Sequence, residues 1–325
     1  MTSRSKQLLV TGASGFLGSR VVDLALHAGW QVRAFDRSPR TQIEGVETFV
    51  GDIGDSALLR KAIEGVTAIV HAAGLAHVFG PSALDSARFN AVNELGTANV
   101  VDAALKEGVS HIILVSSVSV YGDYLGARCD ETVPCYPKGP YAMSKWKGEL
   151  RATERMADER GFLTILRFAT IYGEGDRGNV ARLIRALESK RFIWSGSGQN
   201  KKSLIYKEDA ARACLCALDR HESAVEVFNV SAPPSTMREI VTPICEALGR
   251  PVPRLSLPLS VLRTAGAISR KIGDPWDLDQ RLQKFVRDDV YDGSKFEARF
   301  GFCPAVSLSE GLRKEVNSLR SQPKR

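Results

Sequence analysis

Cysteine and histidine are sparse in this sequence, with six and five copies in 325 residues. No two of Cys129, Cys135, Cys214, Cys216, Cys245 and Cys303 have C-x-x-C spacing, and the histidines do not gather beside them, which argues against a zinc site. A chain of this size needs no disulfide framework to hold a core. No run of five or more basic residues occurs, so the net charge of +7 reads as a diffusely basic surface. That surplus suits an anionic substrate and does not indicate nucleic acid. No stretch reaches the ~18 uninterrupted apolar residues of a membrane span, and the apolar segment 255–268 is broken by Arg263. The polar start, Met1 to Lys6, leads into a short apolar run and not a secretory h-region, so a cytoplasmic protein is expected. Internal repeats and low-complexity tracts are absent too.

What is present is an ordinary globular composition, 44% apolar and 25% charged. Its length suits one large or two closely joined domains. Short β-rich runs at 7–10, 31–35, 46–50, 68–72, 111–115 and 163–167 alternate with helical patterns at about 15–28, 55–64, 86–107 and 141–160. Near-continuous apolar strands separated by helices predict a parallel sheet covered on both faces, a doubly wound α/β (Rossmann) fold. After Tyr172 the character changes to glycine-rich loops and prolines. This predicts a division into 1–172, with some later segments returning to it, and a smaller C-terminal substrate-binding part over 173–325.

Thr11-Gly12-Ala13-Ser14-Gly15-Phe16-Leu17-Gly18 follows the first strand and opens the first helix. Glycines at such a turn let the backbone approach a pyrophosphate and let helix and strand pack closely, with the helix N-terminus facing the negative charge. Asp36 ends the second strand, where a carboxylate can accept from both ribose hydroxyls of an adenosine. Arg37 beside it could accommodate a 2′-phosphate, and the balance favours NAD over NADP. Asp52, in Gly51-Asp52-Ile53, could approach the adenine amino group, and Ala72 lies among small residues at the end of the fourth strand. Ser116 and Ser117 end the fifth strand, and Tyr141 and Lys145 share one face of the next helix. An ammonium four residues from a phenol favours the ionised form, which suits a general base toward an alcohol.

With TGASGFLG, GDI, HAAG, SSVSVYG, YAMSK and LRFATIYG in this order, the chain resembles the extended short-chain dehydrogenase/reductases of the NAD-dependent epimerase/dehydratase family, from about Leu8 to Leu312. The resemblance implies Ser117, not Ser116, as catalytic with Tyr141 and Lys145. It places Gly12, Gly15, Phe16, Leu17, Gly18, Asp36, Arg37, Asp52, Ile53, Ala72 and Asn93 around NAD, with Tyr141 and Lys145. Val118 and Ser119 stand where the dehydratases carry Asp-Glu, which argues against dehydration, and Thr170 replaces an expected asparagine. Asn179, Trp194, Lys202 and Arg281, with Ser117, are the implied substrate residues, although Trp194 reads equally as a core aromatic. The implied reaction is C4 epimerisation of a UDP-hexose through a 4-keto intermediate, by a homodimer. Open alternatives are a 4-ketoreductase of a nucleotide keto-deoxysugar, a hydroxysteroid-type dehydrogenase and a non-catalytic NAD-binding subunit.

Overall fold

The computed structural model describes residues 6–38, 44–76, 82–124, 128–156, 161–218, 222–257 and 287–321. The chain begins with β1 (Gln7–Thr11), α1 (Gly18–His27), β2 (Gln31–Asp36), β3 (Glu47–Val50), α2 (Ser56–Ile63) and β4 (Ala68–His71). A long helix follows in three parts: α3 (Ser82–Phe89), a π-helical turn (Asn90–Leu95) and α4 (Gly96–Lys106). Next come β5 (His111–Ser117), a 3₁₀ turn (Val118–Tyr121), α5 (Gly139–Met156) and β6 (Phe162–Phe168). The first helix begins at Gly18 and not near Gly15, because residues 12–17 are taken up by the glycine turn.

Strand periodicity explains the layers. Leu8 and Val10 of β1 enter one core with Val21, Val22 and Ala25 of α1, whereas Leu9 enters the opposite core with Val100 and Ala104 of α4. Burial on both faces is why these strands read as nearly continuous apolar runs. The second part contains β7 (Thr170–Tyr172), α6 (Asn179–Glu188), β8 (Trp194–Ser195), β9 (Lys201–Lys202), β10 (Leu204–Tyr206) and α7 (Lys207–Cys216). It continues with β11 (Val225–Val230), β12 (Ser235–Thr236), α8 (Met237–Leu248), β13 (Ser256–Leu257), α9 (Ser294–Phe300) and α10 (Leu308–Ser321). α8 starts from a Thr236/Glu239 capping box and ends at left-handed Gly249.

The main sheet has seven parallel strands in the order β11-β6-β5-β4-β1-β2-β3. Thus β11 returns to the first part, and α7 packs on α1 through the Arg20–Glu208 ion pair. A separate core of Tyr172, Ile184, Trp194, Ile240, Ile244 and Leu312 joins the small paired strands to α6, α8 and α10. No helix among the described residues is long and apolar enough to cross a membrane.

Candidate active site

The strand order reverses between β1 and β4, whose last residues, Thr11 and His71, are register partners. Ligands of open α/β sheets bind at such a switch point. Gly12 turns the chain there with φ +68°, and a Cβ on it would sit 2.7 Å from the Ala73 backbone. A Cβ on Gly18 would fall 2.1 Å from the Gly12 carbonyl oxygen, so α1 can approach the turn only as glycine. The resulting cleft, about 520 Å³, is lined by Gly12, Gly15, Asp36, Asp52, Ile53 and Ala72 among others.

Asp36 accepts from the backbone N–H groups of Ser14 (3.0 Å) and Ser38 (3.2 Å), which fixes its carboxylate at the end of β2. Exposed Arg37 reaches Asp52 at 4.0 Å. Ile53 also packs where a Gly96 side chain would otherwise lie, and Leu17 turns into the core. Phe16 lies under the Lys207 ammonium, 5.9 Å from ring centroid to nitrogen. A cradle closed to side chains, with a carboxylate at the strand end, fits a dinucleotide.

Beyond the cleft, α5 lies on β5 through a stripe of side chains four residues apart. Tyr141 hydrogen-bonds Ser117, Lys145 Nζ donates to the Val115 carbonyl (2.6 Å), and Glu149 accepts from the Ser116 hydroxyl. Three turns of one helix are thereby matched to three consecutive strand residues. Burial pushes the Tyr141 phenol up, opposed by the Ser117 hydrogen bond. The expected lowering of the phenol by Lys145 is not the dominant effect here, because burial prevails and the ammonium is turned to a backbone carbonyl. Burial brings Lys145 down to about 8, against the pull of Glu149. Burial, then the Lys145 charge, depresses His71 to about 3, so its ring is neutral.

Asn93 sits in the π-helical turn, the helix distortion that frequently marks functional sites. Its amide oxygen accepts from Leu75 N (2.8 Å), and its Nδ2 donates to Leu75 O (3.0 Å) and Ser144 Oγ (2.9 Å). Ser144 in turn donates to the Tyr141 carbonyl (2.8 Å). Asn93 is therefore a buried strut between the rim of the cleft and the start of α5, not an ordinary polar residue within a helix.

The substrate candidates are brought together only in part. Asn179 is exposed at the start of α6. Trp194 is 4% exposed, donates to the Pro253 carbonyl and packs against Phe192 and Arg238, which corresponds to the core-aromatic alternative. Lys202 Nζ donates to Asp289 Oδ2 (2.6 Å) and the Arg287 carbonyl (3.0 Å). Arg281 lies outside the described residues. The cation beside Lys202 is Arg287, which pairs with Asp289 (2.9 Å) and Asp123 (2.5 Å). On α10, fully buried Glu315 accepts from Gly173 N (3.0 Å), and burial followed by the Asp176 charge raises it to about 9.

Sequence reasoning missed Arg287, Glu149 and Arg167. Tyr-x-x-x-Lys-x-x-x-Glu was the available signal for Glu149, since it continues the same helical stripe. Arg167 meets both Glu149 oxygens, with its closest contact at 2.7 Å.

Glycine turn, strand-end acid and the Ser–Tyr–Lys stripe share one parallel sheet, as in the short-chain dehydrogenase/reductases. Residues 8–231 match the NAD dependent epimerase/dehydratase family, and the chain belongs to that family of NAD-dependent enzymes. It is similar to the N-acetyl-alpha-D-glucosaminyl-diphospho-ditrans,octacis-undecaprenol 4-epimerase of Escherichia coli O157:H7, with 31% identity covering 94% of this chain and 92% of that protein. It is also similar to the 2-alkyl-3-oxoalkanoate reductase of Stenotrophomonas maltophilia (strain K279a), with 30% identity over 95% of this chain and 98% of the other. The solved structure of MoeE5 in complex with UDP-glucose and NAD superposes with a TM-score of 0.77 at 27% identity, covering 97% of this chain and 98% of that one.

Proposed function

We propose that this protein is a C4 epimerase of a nucleotide sugar, acting on a UDP-hexose through a transient 4-keto sugar. The observation that carries this reading is the placement of Tyr141 and Lys145 of α5 against the Ser117 end of β5, with Lys145 Nζ on the Val115 carbonyl and beside Gly74 of the cofactor cleft. Similarity to a 4-epimerase and to a structure holding UDP-glucose and NAD supports it. Gly12, Gly15, Gly18, Asp36 and Asn93 frame the NAD site, with Tyr141 and Lys145 at its reacting end. NAD, when bound, supplies the reversible hydride acceptor. Tyr141 removes the C4 hydroxyl proton and later returns one, acting as base and then acid. Ser117 holds the C4 oxygen, and Lys145, fixed on the Val115 carbonyl beside Gly74, is placed to hold the nicotinamide ribose. Val118 and Ser119 offer no carboxylate for dehydration.

Residues 173–325 hold most of the substrate in this reading. Lys202 and Arg287 receive the diphosphate in exchange for Asp289, and Asn179 reaches toward the nucleotide. Leu95, Met143 and Leu150 are exposed at 54%, 39% and 48% on the π-helical turn and α5, a surface suited to a homodimer in the cytoplasm. Incubation with UDP-glucose and NAD, followed by chromatography for UDP-galactose, tests the reaction. A 4-ketoreductase is the second reading, favoured by the similarity to a reductase. Mass spectrometry of the native protein separates the two, since retained NAD supports epimerisation and reversible exchange supports reduction. Failure to bind free UDP, with turnover of a sugar linked to a polyprenyl diphosphate, would replace the nucleotide by a lipid carrier.

A further inference from the structure

We propose that His71, as its Nε2–H tautomer, is a positioning residue that fixes the cleft wall Ala73–Leu75 for the dinucleotide through a one-way chain of buried hydrogen bonds. Nothing in it depends on which sugar the enzyme takes. The chain starts on the cleft wall, where Ala73 N donates to Thr11 Oγ1 (3.3 Å). Thr11 Oγ1 lies 2.7 Å from His71 Nδ1, and His71 Nε2 lies 3.1 Å from Thr97 Oγ1. Thr97 Oγ1 then donates to the Asn93 carbonyl (2.7 Å). Thr11 is fully buried and His71, Thr97 and Asn93 are each 1% exposed, so these groups meet one another away from bulk water. β1, β4, α4 and the π-helical turn are joined by this one relay.

The two ends decide which way the protons point. The Ala73 N–H can only donate, and the Asn93 carbonyl can only accept. A threonine hydroxyl carries one proton, so Thr97, which places it on Asn93, accepts from His71 Nε2–H. Nδ1 is then bare and accepts the Thr11 proton. In the opposite tautomer Nδ1–H would donate to Thr11, whose own proton has no other acceptor among the described residues, and Thr97 would turn away from Asn93. The chain also closes on the wall where it began. The Asn93 side-chain amide holds Leu75 N (2.8 Å) and Leu75 O (3.0 Å), so residues 73 and 75 are tied from the two ends of one relay. Gly74 lies between them, where a Cβ would sit 3.3 Å from the Asn93 amide oxygen and 3.7 Å from Lys145 Nζ. α5 meets the relay again at Gly148, where a Cβ would fall 2.4 Å from the Asn93 carbonyl oxygen. Ala73, Gly74 and Leu75 all line the cofactor cleft, and His71 acts on the dinucleotide through them.

The tautomer is read first, by long-range proton–nitrogen correlation NMR of the full-length protein carrying isotope-labelled histidine, with His71→Gln identifying the His71 signals. A protonated Nε2 and a bare Nδ1 are expected, and a bare Nε2 in the wild type would overturn the proposal. This arm uses the unmodified protein and does not depend on any variant folding. The second arm is titration with NADH, followed by its fluorescence. Thr97→Val keeps the shape of the side chain without the hydroxyl and should bind NADH about tenfold more weakly, the effect of one buried hydrogen bond. Thr97→Ser restores the hydroxyl and should bind as the wild type does. A relay that serves stability alone would lower the thermal midpoint of Thr97→Val and leave the NADH affinity of the folded protein unchanged. That result would equally overturn the proposal, as would a Thr97→Ser variant no better than Thr97→Val.

Discussion

The two halves of the molecule meet charge in opposite ways. In the first half, the cofactor cleft is shaped by backbone: glycines too close to carbonyls to carry a side chain, and an aspartate pinned by two N–H groups. In the second, Lys202 and Arg287 are neutralised by Asp289 and Asp123 of the same chain. A site formed by backbone costs little reorganisation when its ligand arrives, whereas a site held by exchangeable ion pairs must release one anion to take another. On the function proposed above, the rigid half would carry the chemistry and the exchangeable half the choice of substrate.

The sharpest way to probe the rigid half is Tyr141→Phe. It should lower turnover by ~10²–10⁴-fold with NAD binding intact, since it removes only the proton-transferring hydroxyl. Activity within tenfold of wild type, in an assay of the purified variant, would remove Tyr141 from the chemistry. For the exchangeable half, Lys202→Ala should weaken free UDP and a UDP-sugar alike by roughly 10- to 150-fold, the worth of a charge-assisted hydrogen bond. Calorimetry with UDP decides this, and equal binding by both proteins would leave Lys202 as a partner of Asp289 alone.

Glu315 gives a third comparison, in stability. Its native carboxyl is raised to about 9, so the folded state binds its proton more tightly than the unfolded state does. That contribution is fully present below the unfolded value near 4.5 and is lost progressively as pH rises toward 9. Glu315→Gln should therefore gain stability over wild type between pH 5 and 8, on the order of 2 kcal/mol at neutrality. Urea titrations at both ends of that range measure it, and a gain independent of pH would show that charge is not the cause. The smallest effect is expected at Asp36. Replacement by alanine should reduce the preference for NAD over NADP by about tenfold, one hydrogen-bonded charge lost and Arg37 freed. Tighter NADP binding by the unmodified protein would reverse the cofactor assignment.

The rigid half was also the more legible in sequence. A glycine turn, an acidic strand end and a Tyr-x-x-x-Lys pair are local patterns whose geometry follows from strand and helix periods. Glu149 and Arg167 were less visible because their meaning depends on which strand residues they face, and that is set by the packing of α5 on β5 and β6. The return of β11 beside β6 joins segments about sixty residues apart, and no local pattern announces such pairing. Trp194 shows the same limit: its neighbours in sequence do not reveal that Arg238 and Pro253 will cover it. Arg287 lies six residues beyond the arginine chosen from sequence, in a stretch where no glycine or strand pattern anchors the numbering.

The π-helical turn at Asn90–Leu95 bears on where its helix delivers the residues before it. Such a turn closes its hydrogen bonds one residue later than the α-helix on either side, so the helix is locally widened between α3 and α4. Phe89, the residue just before the widening, meets the Tyr141 ring edge-on at 5.9 Å. A local change of helix winding thus sets a ring edge against a phenol three elements further along the chain.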